Sequence, residues 1–134
     1  MPAHLQAVYY RAADGSQPVD AFIEGLPIKQ QVALDNQIER LNVLTAKRPH
    51  LPFPHSSQVE GELRELRCHH GRVLYRILYR RSMNLVVLLH IFRKDTGQLP
   101  EAEIEIARAR WEDFRARMSA GRRVPPRAAG RDAP

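Results

Sequence analysis

Apolar and polar positions along this chain change period several times, and each change marks an element. Leu5 to Arg11 alternates, with Leu5, Ala7 and Tyr9 set against Gln6, Val8 and Tyr10. That is a strand period, and Asp14-Gly15 ends it with turn chemistry. Pro18 suits the first turn of a short helix through Phe22 and Ile23, stopped at Gly25. Pro27 opens a longer helix reaching to about Thr45. Leu34, Ile38 and Leu41 form its stripe, Ile28 and Val32 widen it, and Lys29, Gln30, Asn36, Gln37 and Arg40 take the polar side. Pro49, Pro52 and Pro54 then predict an irregular crossing.

A meander follows. Leu63 to Cys68 pairs with Val73 to Arg80 across a turn containing Gly71, and a second turn near Ser82 to Asn84 leads into Leu85 to Phe92. Strand alternation places Leu74, Arg76, Leu78 and Arg80 on one parity and groups His90, Phe92 and Lys94 on another strand. Which parity meets solvent stays open, because the central runs are apolar on both sides. Pro100, with Glu101 and Glu103 at the positive end, opens a last helix. Ile104, Ala107, Trp111, Phe114 and Met118 recur at helical spacing, so Trp111 is a packing anchor. The expected fold class is α+β: a small, mostly antiparallel sheet in β-α-α-β-β-β-α order, packed against helices. Residues 1–118 make one domain. Residues 119–134 lack periodicity, are rich in Gly, Pro and Ala, and are expected to be a disordered basic tail.

Charge changes this picture. The formal net charge is +6 over 134 residues, and it is concentrated in the meander. Arg64, Arg67, Arg72, Arg76, Arg80, Arg81, Arg93 and Lys94 stand there against Glu65 alone, while the flanking segments are mildly acidic. Arginines interleaved with tyrosines, histidines and a phenylalanine on a sheet are the electrostatic footprint of a nucleic-acid binder. The plain alternative is a solvated basic sheet. Arg64, Arg72, Arg80, Arg81, Phe92 and Arg93 are the candidate nucleic-acid contacts.

Other classes lose support. The longest aliphatic run, Leu85 to Leu89, is too short to cross a bilayer, so no membrane partner is expected. MPAHLQAVYY lacks the regions of a secretory signal in their order. Cys68 stands alone, which excludes an internal disulfide, fits a reducing cytoplasm and reads as a buried structural thiol. His69-His70 has no chelating spacing, and CxxC and HxxxH pairs are missing, so neither metal nor cofactor is expected. GxxxxGK[ST], GxGxxG and GxSxG are missing too, which removes support for nucleotide hydrolysis and serine hydrolase chemistry.

Five pieces occur in order from about Val8 to Phe114: YYRAADGSQPVDAFIEGLP, LPFPHSSQVEGELRELR, YRILY, VVLLHIFRKDTG and LPEAEIEIARARWEDF. Together they resemble the RelE/HigB superfamily of toxins from bacterial type II toxin–antitoxin pairs, and look closest to its phage-derived HigB-like branch. The resemblance implies a RelE-like fold and metal-independent endonucleolytic cleavage of mRNA, in many members at the ribosome. It also implies a neutralising antitoxin, in this branch often a helix-turn-helix protein, as cognate partner. Roles carried over by position fall on Arg67, Arg76, Tyr79, His90 and Lys94 as catalytic residues, with Phe92 beside them and Glu65 supporting.

Those residue types suit the chemistry. Attack by a 2′-OH on the adjacent phosphorus needs charge stabilisation and proton transfer. Arg67 and Arg76 fork onto phosphate oxygens. His90, Tyr79 and Lys94 can carry protons, and Phe92 and Tyr79 can stack on a base. The residues also allow blander roles: His90 as a satisfied core histidine, Phe92 as core, and Glu65 as a cross-strand partner of an arginine. Two other functions compete: a non-catalytic RelE-fold protein binding nucleic acid or a regulator, and a gyrase-directed toxin of the same fold. Asp95, in RKDTGQLP where the family commonly has a Lys-rich stretch, argues for the binder.

Overall fold

The computed structural model describes residues 3–93, 99–120 and 127–130. Its elements are β1 (Gln6–Tyr9), α1 (Pro18–Glu24), α2 (Ile28–Glu39), β2 (Ser56–Glu60), β3 (Leu63–His70), β4 (Val73–Ser82), β5 (Leu85–Arg93), α3 (Glu101–Ser119) and β6 (Arg127–Ala128). The strands form one sheet in the order β2-β3-β4-β5-β1-β6, with only the β1–β5 pair parallel. This is the expected α+β class, with two more strands than the sequence pattern showed.

Both faces of the sheet are covered. Ala7, Tyr9, Leu66, Cys68, Tyr75, Ile77, Tyr79, Val86, Leu88 and Ile91 pack with Val19 and Ile23 of α1 and Leu34 and Ile38 of α2. On the other face Val8, Leu63, Leu78, Val87, Leu89 and Phe92 pack under Ile104, Ala107, Trp111 and Phe114 of α3. The Tyr10 hydroxyl donates to Asp113 at 2.6 Å, which fastens α3 beside the end of β1. Cys68 is buried, and burial pushes its thiol pKa well up.

Three expectations need correcting. The α2 stripe is narrow, since Ile28 and Val32 are 71% and 51% exposed. At 100° per residue they lie about 120° and 160° round the helix from Leu34. The helix also stops at Glu39. One 3-10 turn (Arg40–Val43) follows, and the Leu44 carbonyl then accepts from the Leu5 N–H at 2.8 Å, drawing the chain out of the helix towards the sheet. Nor is the proline-rich crossing wholly irregular: Ser56–Glu60 pairs antiparallel with β3 as the edge strand.

The third correction concerns the tail. Arg127–Ala128 pairs antiparallel with β1, and the Ala129 N–H donates to the Ala7 carbonyl at 2.8 Å. Ala129 is fully buried, and Asn42 Nδ2 donates to its carbonyl at 2.9 Å. Arg127 pairs with Asp20. Gly130 has φ +121°, and a Cβ there would clash with the Asn42 and Glu39 side chains. Residues 127–130 are therefore an integral edge of the sheet. Small residues dock here without any periodic apolar pattern.

Candidate functional site

Registers place the chemistry-bearing residues in two adjacent rows on the α3 face. One row runs Ser57, Glu65, Leu78, His90 across β2 to β5; the next runs Arg67, Arg76, Phe92. A register shift between Leu78 and Tyr79 makes Leu89 an extra residue in β5. That bulge re-aims the strand. Up to Leu88 the even positions of β5 face α1 and α2, but beyond the bulge His90 and Phe92 face α3. The bulge therefore brings His90 alongside Arg76.

Apolar packing under α3 ends near Leu78 and Phe92, and the polar group begins there. Glu65 is 2% exposed and Arg76 6%. Glu65 Oε1 accepts from Arg67 Nε at 2.7 Å and from Ser57 Oγ at 3.1 Å, while Oε2 lies 3.7 Å from an Arg76 terminal nitrogen. One buried carboxylate thus sits between two arginines. Arg67, with its side chain 27% exposed, is the one that reaches solvent. Its guanidinium also lies 5.5 Å from the ring centroid of Phe53, a phenylalanine 73% exposed. Phe53 was not singled out from the sequence, where its place among prolines hides it.

His90 is held at both ring nitrogens. Arg110 of α3 donates to Nδ1 at 3.2 Å and also to the Leu89 carbonyl at 2.9 Å, and Nε2 meets the Glu103 carboxylate. A guanidinium can only donate, so Nδ1 accepts and the proton resides on Nε2, directed at Glu103. Burial holds the His90 pKa below its usual value, with Glu103 pulling up and Arg110 down. The same side chain stacks on Phe92 (centroids 5.7 Å apart, planes at 22°). Glu103 and Arg110 were not among the sequence candidates, because only the docking of α3 shows which of its charges turn inward.

The remaining candidates do not join this group. Tyr79 lies on the opposite face, buried, its hydroxyl 2.6 Å from Ser56 Oγ. That removes it from proton transfer on the α3 face. Phe92 is 8% exposed and belongs to the core under α3. Arg80 packs its guanidinium 4.6 Å from the Trp111 centroid and pairs with Glu62 at 3.2 Å, so it is occupied in packing. Arg64 and Arg81 turn to the α1/α2 side near the β2 edge, Arg72 sits exposed in the β3–β4 turn, and Arg93 is exposed at the end of β5. The basic segment is therefore divided between two faces. Lys94 and Asp95 lie outside the described residues.

A family model described as phage derived protein Gp49-like (DUF891) matches residues 21–112. That span runs from α1 through most of α3 and contains every member of the α3-face group. The chain belongs to this Gp49-like family. The family is associated with RelE-like toxins of toxin–antitoxin pairs. No curated protein shows significant similarity to the chain. Among the described residues, no helix is long and apolar enough to cross a membrane.

Proposed function

We propose that this Gp49-like protein is a cytoplasmic toxin of the RelE/HigB type, an endoribonuclease acting on mRNA at the ribosome and neutralised by a cognate antitoxin. The observation that carries this reading is the Glu65-centred pair of arginines on the α3 face. A carboxylate accepting from Arg67 Nε leaves that residue's terminal N–H groups for an outside acceptor, and the exposed Phe53 ring beside it offers a base a stacking surface. Arg67 makes the direct contact to the scissile phosphate. Arg76, almost covered, supplies positive potential from below as charge grows on the phosphorane.

In this reading the 2′-OH attacks phosphorus, its proton leaves to a base, and the 5′-oxygen is protonated as it departs. His90 takes part only when its Nε2 is released from Glu103; Lys94, two residues beyond Phe92, is the other carrier. Induced expression without an antitoxin, followed by primer extension on cellular mRNA, tests the proposal. Growth arrest with cut transcripts is expected. Normal growth and whole transcripts at verified expression of folded protein would reject it, and DNA breaks with whole mRNA would indicate a gyrase-directed toxin.

One observation favours a second reading. With both ring nitrogens of His90 engaged and Tyr79 on the far face, the α3-face group resembles a phosphate-binding surface more than a poised acid–base pair. A non-catalytic RNA or regulator binder would need no more than this.

A further inference from the structure

On the sheet face opposite that group, a cleft of about 380 Å³ opens beside the β2 edge. His50, Gln58, Glu62, Arg64, Tyr79 and Arg81 are among its lining residues. Arg64 is the cross-strand partner of Tyr79 on β4, and Arg81 lies two residues further along the same strand. The two arginines are thus diagonal neighbours on one face, a separation that long side chains close. Each is anchored through Nε: Arg64 donates to Ser56 Oγ at 3.2 Å, and Arg81 to the Met83 carbonyl at 2.6 Å. No terminal nitrogen of either guanidinium has a hydrogen-bond partner among the described residues. Glu62, the acid in the lining, is 77% exposed at its side chain and is drawn to Arg80 instead.

Two guanidinium groups anchored through Nε with free terminal donors, and a histidine, line one hollow, while the Gln58 amide there donates to the Gly61 carbonyl at 2.6 Å. We infer that this cleft is a second anion site, built for a phosphate group and separate from the arginines of the α3 face. Guanidinium forks match phosphate oxygens, and anchoring each through Nε lowers the ordering cost of capture. His50 reports the site: burial, then Arg64 and Arg81, hold its pKa below the usual value, and a bound anion reverses the electrostatic part. The phosphate belongs either to a small phosphorylated ligand or to a nucleic-acid backbone. The site does not depend on the protein being a nuclease.

The test follows the His50 ring by NMR across a pH titration, with and without inorganic phosphate, and again with a short uncleavable single-stranded oligonucleotide. Phosphate should raise the His50 midpoint by roughly half a unit or more. Arg64→Gln and Arg81→Gln, each checked for an unchanged melting temperature, should abolish that rise, whereas Arg67→Gln should leave it intact. If the oligonucleotide also raises the midpoint, and each variant lowers the salt slope of its affinity by about one, the backbone is the source. A rise with phosphate alone assigns a small ligand. No response to either, or a response that survives in both cleft variants, overturns the site. Loss of the response with transcript cleavage intact separates this site's fate from that of the nuclease reading.

Discussion

Replacing Arg76 by alanine should do more damage to the fold than a surface arginine would. Glu65 is 2% exposed, and after the substitution its Oε2 loses the cation 3.7 Å away while Oε1 keeps Arg67 and Ser57. Removing one partner of a buried pair costs about 3–5 kcal/mol when the other charge is left uncompensated. The surviving Arg67 contact brings the expected loss to about 2–4 kcal/mol. For a chain of this size that is a fall in melting temperature on the order of 10 °C. Deleting the charge as well, in Glu65→Gln/Arg76→Ala, should restore much of the loss, because a neutral amide needs no cation beside it. Urea denaturation of the wild type, both single variants and the double variant gives the coupling energy directly. A coupling below about 0.5 kcal/mol, or an Arg76→Ala protein as stable as wild type, would refute the idea that Glu65 depends on Arg76. Cleavage should therefore be compared per folded molecule, and there Arg67→Ala is the cleaner probe of phosphate contact.

Truncation after Ala120 should lower the melting temperature measurably and promote self-association, since it strips β6 from β1 and bares a strand edge; Gly130→Val should reproduce the loss of stability, and an unchanged melting curve for both would show the tail dispensable. His90→Gln should cost roughly 1–3 kcal/mol by breaking the Arg110 and Glu103 contacts, with single-turnover cleavage per folded molecule deciding whether the ring also carries a proton. Because the pKa values of His50 and His90 are lowered in the folded state, their stabilising contribution is complete above the unfolded value of about 6.5 and fades as pH falls towards their folded values; stability flat from pH 7 down to 5 would contradict this. Arg80→Ala should reduce stability by about 0.5–1 kcal/mol through its contact with Trp111, and leave RNA affinity nearly unchanged.

The sequence pattern was most legible where apolar periodicity is strong. The meander and α3 announce themselves through Leu66, Ile77, Leu88 and the Ile104 to Phe114 stripe, all buried as their spacing requires. It was silent where backbone pairing carries an element without a periodic face. Ser56–Glu60 carries a single apolar residue, Val59, so no alternation marked it as a strand until β3 offered an edge. Arg127–Ala129 is short and made of residues with almost no apolar area. Its docking depends on Asn42, which donates to the Ala129 carbonyl and accepts the Ala7 N–H at 2.7 Å. A receptor assembled from positions so far apart in sequence leaves no local trace.

The candidate site shows the same division on a finer scale. Parity correctly grouped Arg76 with Leu78 and Arg80 on one face of β4, because alternation is fixed by the backbone, and the register then set Arg67 opposite Arg76. Parity also joined His90 to Phe92, yet their common face was decided by the bulge at Leu89, which no periodicity test on an all-apolar run could locate. Tyr79 fell to the opposite side by simple alternation from Leu78, so carrying its role over by position conflicts with strand geometry. The rule that emerges is physical. Charge on a sheet specifies affinity for anions, but the face each charge occupies specifies what it can do. Here those faces separate an arginine pair governed by a buried carboxylate from an arginine pair that opens a cleft. Both pairs arise within one basic segment, and only the register between its strands tells them apart.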